Sequence, residues 1–140
     1  DGDGALDIVS GNSEGKILFF KNAGTNKSPA YLPPVPIKAA GREIHVQSGY
    51  RMDIQGPWEA RWGYVCPTVA DWNQDGLLDI LMSDATARHT IFLNRGTKQN
   101  PNLDFGHPLY LDGLDMHGTW RVKPAVAKLG KILSVKLEYA

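Results

Sequence analysis

The chain has 140 residues, the length of one ordinary domain. Lysine plus arginine equals aspartate plus glutamate at 15 each, and a net charge of zero argues against a nucleic-acid or anionic-membrane protein held by bulk electrostatics. No apolar run reaches the ~18 residues of a membrane span, and a lone cysteine, Cys66, rules out a disulfide scaffold.

The sequence opens without Met or a leader, inside what reads as a motif, so the chain is expected to be a piece of a longer protein. Its 15 glycines and 9 prolines favour turns over long helices, and no stretch keeps a 3.6-residue apolar period. In chain order, strands are predicted over 8–11, 16–21, 35–39, 65–70, 79–83, 89–94 and 108–111. The segment 40–64 is long for a connector, and 95–106 is a Gly/Asn/Pro-rich loop.

These strands belong to a repeat. At a shift of 72 residues, Asp3-Gly4-Ala5-Leu6-Asp7-Ile8 falls on Asp75-Gly76-Leu77-Leu78-Asp79-Ile80. Without a gap, Phe20 then meets Phe92, Asn22 meets Asn94, Gly24-Thr25 meets Gly96-Thr97 and Pro29 meets Pro101. A weaker echo at a shift of 57 relates Pro67-Thr68-Val69-Ala70 to Pro124-Ala125-Val126-Ala127. Four short antiparallel strands per unit, repeated, predict an all-β fold: about two four-stranded β-propeller blades plus the first strand of a third. The expected division is a blade over 1–39, truncated at its loop, and a crossover insertion over 40–64. A complete blade follows over 65–111, then a crossover and the start of a degenerate blade over 112–140. A β-sandwich is the competing architecture. Two blades alone would leave open sheet edges, which supports the reading of a fragment.

Aspartate outnumbers glutamate 11 to 4, and short carboxylates suit turns and oxygen-lined cation loops. Asp71, Asn73, Asp75 and Asp79 stand at positions 1, 3, 5 and 9 of one loop, with the Leu77 carbonyl at position 7 as a further oxygen. Calcium takes six to eight such hard ligands, and Gly76 permits the sharp turn. An Asx-rich turn without metal is the competing reading. An EF-hand would need Glu at position 12, where Met82 stands. Asp1, Asp3 and Asp7 form the same site cut short, expected to bind weakly or not at all. Lys128 replaces the first carboxylate in the third unit, which is expected to bind none.

The D-x-[DN]-x-D-G-x-x-D loop, preceded by Pro-x-Val-Ala and followed by a strand pair ending in Phe-x-Asn-x-Gly, resembles the FG-GAP/VCBS repeat family over 1–30 and 64–106. The resemblance implies calcium-bearing blades of integrin-α-like propellers or of secreted bacterial proteins. It implies Ca2+ as cofactor and an extracellular, cell-surface or periplasmic parent whose further blades would complete the ring. Residues 40–64 and Lys128 depart from the repeat.

In such a blade the calcium loop and the 95–106 loop lie at one end, and the two crossovers and the 84–88 turn at the other. That other end collects His89, Arg61, Tyr64 and His117 as candidate catalytic residues, and Trp58, Trp62, Trp120 and Arg121 as candidate substrate-binding residues. Aromatic faces stack on sugars and arginine pairs with carboxylates, which suits an acidic polysaccharide. A lyase would use Arg to neutralise a uronate and His or Tyr to move protons. Each of these residues also has an ordinary packing or surface reading. A non-catalytic adhesion propeller with an extracellular protein ligand, or a structural repeat array, are the alternative functions.

Overall fold

The computed structural model describes residues 1–49, 59–118 and 122–127, together with the backbone alone at Pro57 and Trp58. The fold is all-β, and the described residues contain no α-helix. Strands β1 (Ile8–Gly11), β2 (Ile17–Phe20) and β3 (Val35–Pro36) form one antiparallel sheet in the order β1-β2-β3. A two-residue strand pair follows, β4 (Lys38–Ala39) with β5 (Arg42–Glu43). A short 3-10 helix spans Pro57–Arg61. Next come β6 (Cys66–Ala70), β7 (Asp79–Ser83), β8 (His89–Phe92) and β9 (His107–Pro108), a four-stranded antiparallel sheet in chain order. A second small pair, β10 (Tyr110–Leu111) with β11 (Leu114–Asp115), is the last regular structure among the described residues. None of these sheets closes on itself.

The strands form where short apolar runs meet turn residues, and β1 and β7 have the bounds the sequence predicts. The predicted strands over 35–39 and 108–111 each break in two. Ile37 N–H donates to the Ile17 carbonyl at 2.8 Å, and Leu109 N–H to the His89 carbonyl at 2.9 Å. Beyond that residue the chain leaves the sheet and folds back on itself. Ala40-Gly41 and Asp112-Gly113 make the turns, with φ of 48° and 76° in the first and 50° and 76° in the second. Positive φ at both central residues suits the right-handed twist of a tight hairpin. The crossover predicted from residue 40 therefore begins later, beyond this hairpin.

The 72-residue period thus runs further than identity alone reveals. Ile44 N–H bonds the Ile37 carbonyl as Met116 N–H bonds that of Leu109, and Val46 N–H meets Gly15 as Gly118 N–H meets Ala87. His45 bridges Lys16, and His117 bridges Arg88.

The two sheets pack face to face. From the four-stranded sheet, Ile80, Met82 and Phe92 enter a core with Ile17, Ala39, Ile44, Val65 and Leu103, against which Val9 and Ile37 of the first sheet pack. The opposite face carries Leu81, Ile91, Leu93 and Leu109 into a second core with Trp72, Met116 and Val126. Strand β7 is buried on both faces for this reason. Each fully buried large apolar side chain contributes about 1.5–3 kcal/mol.

The docking of successive units repeats as well. A Cβ on Gly11 would stand 1.9 Å from the Val65 carbonyl oxygen, so only glycine lets the end of β1 lie against the next unit. Ser83, its counterpart 72 residues on, uses that spot differently: its hydroxyl donates to the Val122 carbonyl, as Thr68 donates to that of Pro124. The segment 122–127 thereby lies on the far face of the four-stranded sheet, where the weaker echo placed the start of a third unit.

Candidate functional site

The loop between β6 and β7 turns because its own side chains cap its backbone. Gln74 and Gly76 take φ of 61° and 86°. Asp75 N–H donates to Asp71 Oδ1 at 3.1 Å and Asn73 Oδ1 at 3.2 Å, Gly76 N–H to Asp71 Oδ2 at 3.0 Å, and Leu77 N–H to Asp75 Oδ1 at 2.9 Å. Asn73 Nδ2 donates to Asp75 Oδ2 at 2.8 Å. Asp71, Asn73 and Asp75 are exposed and Leu77 half-buried.

Asp79 is 0% exposed, and each of its carboxylate oxygens holds a backbone donor: Trp72 N–H at 2.9 Å and Asn94 N–H at 2.8 Å. It pins the start of the loop to the end of β8. Asn94 extends the clasp, its Oδ1 accepting from Gly96 N–H at 2.9 Å and Asn102 N–H at 3.0 Å. This role of the asparagine was not read from the sequence, although the Phe-x-Asn-x-Gly repeat was its visible signal. Asp7 and Asn22 make the same clasp 72 residues earlier: Asn22 N–H donates to Asp7 Oδ1 at 2.8 Å, and Gly24 and Ala30 N–H each reach Asn22 Oδ1 at 2.9 Å.

Backbone donors therefore offset the charge of the aspartates in both loops. A carboxylate has about four acceptor sites, so one or two such bonds leave lone pairs free. The second loop's Asp71, Asn73, Asp75 and Asp79 with the Leu77 carbonyl are an all-oxygen set, which suits a hard cation by donor chemistry. Among the described residues, the acidic group whose oxygens already lie within 4.8 Å of one another is that of the first loop: Asp1, Asp3 and Asp7. The amino terminus donates to Asp7 Oδ2 at 2.9 Å, Lys21 Nζ stands 3.0 Å from Asp3 Oδ2, and Lys21 Nζ also contacts Asp1 Oδ2. The Ala5 N–H and then Lys21 hold the Asp3 carboxyl below its ordinary value. Burial pushes the Asp7 carboxyl up, but the amino terminus and the Asn22 N–H outweigh it and hold it low.

The strand register fixes what shares the opposite end. Cys66 pairs with Ser83 and Ser83 with His89, so the start of β6, the end of β7 and the start of β8 lie together. Ala85 N–H donates to the Gly63 carbonyl at 2.7 Å and Gly118 N–H to the Ala87 carbonyl at 3.0 Å, which draws in the neighbours of Tyr64 and His117. Tyr64 is half-buried with φ of 44°, and its N–H bonds the Ser13 carbonyl at 3.2 Å. Arg61 ends the 3-10 helix, exposed, and Trp62 beside it is half-buried. His117 is exposed, its Nε2 3.4 Å from Asp115 Oδ2, and Arg88 Nε lies 3.5 Å from the same oxygen. His89 is half-buried: its Nδ1 is fully enclosed without a hydrogen-bond partner among the described residues, and its Nε2 faces the Gly118 backbone. Trp120 and Arg121 lie outside the described residues, as does the side chain of Trp58. His107 is in β9, with its ring 4.2 Å from that of Phe105.

An apolar cleft of about 410 Å³ opens between the two sheets, lined by Val9, Phe19, Ile37, Val69, Leu78 and Ile80 among others. Trp72 packs on the repeat-related surface of the second unit, so this cleft belongs to the packing seam between units. No helix among the described residues is long and apolar enough to cross a membrane. Comparison with protein-family models, with curated proteins and with solved structures found no match.

Proposed function

We propose that the chain is a run of FG-GAP/VCBS-like propeller blades from a secreted protein, fastened by calcium and carrying a glycan-binding surface at the end opposite the aspartate loops. One observation carries this reading. Two sheets with the same hydrogen-bond plan stack face to face, and a third segment lies on the free face in the same manner. A modular stack of this kind suits a repeat array. Calcium would sit in the second loop on Asp71, Asn73, Asp75, Asp79 and the Leu77 carbonyl, where its charge would add to the backbone donors that already shape the turn.

The ligand suggested by Arg61, Arg88, Trp62 and Tyr64 is an acidic glycan, through arginine–carboxylate pairing and sugar stacking. Calorimetric titration with uronate oligosaccharides tests it: binding that weakens with salt and with Arg61→Ala is expected. Equal affinity for neutral glycans, or no binding to either, would overturn it in favour of adhesion to a protein or a structural array. A lyase is the second reading, favoured by His89, whose enclosed Nδ1 has no partner among the described residues. New ultraviolet absorbance from an unsaturated uronate, lost in His89→Ala, would establish it.

A further inference from the structure

Strand β3 is an edge of the first sheet, and the chain enters it through Leu32-Pro33-Pro34-Val35-Pro36. Proline holds φ at about −65° and keeps the residue before it extended, so this run is set in a polyproline II-like form. The repeat does not ask for these prolines. Asp104, Phe105, Gly106 and His107 stand at the positions of Leu32, Pro33, Pro34 and Val35, and only Pro36 has a proline counterpart, Pro108. Leu32 and Val35 are 47% and 56% exposed, and Pro33, Pro34 and Lys38 are exposed as well. Pro36 is half-buried and pairs with Leu18 of β2, which anchors the run to the sheet. Guarding an edge against strand addition explains prolines there, but not the large apolar side chains exposed between them.

The backbone disfavours one mode of recognition. Leu32 N–H is spent on the Lys21 carbonyl at 2.9 Å, and Ile37 N–H on that of Ile17 at 2.8 Å. Pro33, Pro34 and Pro36 have no N–H, so from 32 to 37 only Val35 has another donor, and an added strand would find no ladder. A groove that reads side chains needs no ladder. We propose that residues 32–38 are a docking segment for a partner domain whose groove is lined by aromatic rings and ends in carboxylates. Leu32, Pro33 and Val35 fill the apolar part of that groove, and Lys38 pairs with its acidic end. At about three residues per turn, Leu32 and Val35 come to one side of such a run. A segment already set in its bound form loses little freedom on binding. The inference is independent of the calcium and glycan readings.

Titration of the isotope-labelled 140-residue chain with an SH3 domain selective for Pro-x-x-Pro-x-Lys peptides, followed by NMR, tests it, with cooperative melting as the check on folding. Shifts centred on 31–38 are expected. Pro33→Ala, Val35→Asp and Lys38→Glu, all at exposed positions, should each weaken binding by about tenfold or more. Lys38→Glu should cost nothing further on an SH3 domain whose groove carboxylates have been replaced by amides. Should Val35→Asp disturb β3, Lys38→Glu alone still decides. A chain that leaves the SH3 domain unbound while the free 31–39 peptide binds would overturn the proposal, because the fold then withholds the segment. So would a peptide that fails as well, or binding that survives all three substitutions. A dimer of the chain that Pro33→Ala abolishes, seen by ultracentrifugation, would overturn it in favour of an interface between copies.

Discussion

Asp79 carries two backbone N–H groups on one fully buried carboxylate, whereas Asp75 is exposed and caps only its own turn. The two aspartates should therefore respond differently to substitution. Asp79→Ala strands the donors of Trp72 and Asn94, at roughly 1–3 kcal/mol each. It should therefore lose stability even in a chelator, and more in calcium, as read by urea denaturation. Asp75→Ala should lose stability in calcium and change little in the chelator. A calcium-independent loss there would mean that the loop is a turn alone. At Asp7 the folded carboxyl titrates below its ordinary value, so it stabilises the fold above the unfolded value of about 4. That contribution should fade as pH falls through the lower folded value. In a chelator, Asp7→Asn should flatten the decline of melting temperature on acidification from about pH 4 downward, and an unchanged slope would remove Asp7 from the acid response.

At the scale of elements, the two small hairpins explain why the predicted fourth strands break. Ala40 holds a positive φ that costs a non-glycine residue about 1–2 kcal/mol. Asn tolerates this conformation better and favours the tight turn that Gly41 completes. Ala40→Asn should raise stability by up to ~1 kcal/mol and Ala40→Val should lower it, both measurable by chemical denaturation. The junctions between units allow less change. A Cβ on Gly63 would come 2.0 Å from the Val46 carbonyl oxygen and one on Gly11 1.9 Å from that of Val65. Gly11→Ala must push the two sheets apart, at a cost of about 1–3 kcal/mol or more. A variant as stable as the wild type would refute this docking geometry.

At the scale of the whole molecule, each sheet is a layer that needs a neighbour. The face with Leu81, Ile91, Leu93 and Leu109 is covered in part by Trp72, Met116 and Val126. A chain ending at Gly118 should melt several degrees lower than the full chain and bind a hydrophobic dye, because that face loses the part of its cover that Val126 supplies. Equal melting temperatures would mean that 122–127 contributes no packing.

The sequence by itself determined the repeat, the strands of each unit and the aspartate loops. These are local matters: strand period, turn residues and Asx caps all act within a few positions, so they are legible along the chain. The echo of Pro67 and Val69 in Pro124 and Val126 also falls on the segment whose Val126 packs on the second core. Tertiary structure alone decided which face of β7 meets which core, that Gly11 must be glycine where Ser83 is not, and that Asn94 closes the clasp on Asp79. It likewise decided that Lys21 turns to the aspartates while Leu93 turns to a core. Those outcomes depend on distant backbone coming within a few ångströms, and no periodicity in one strand records which atoms will stand across from it.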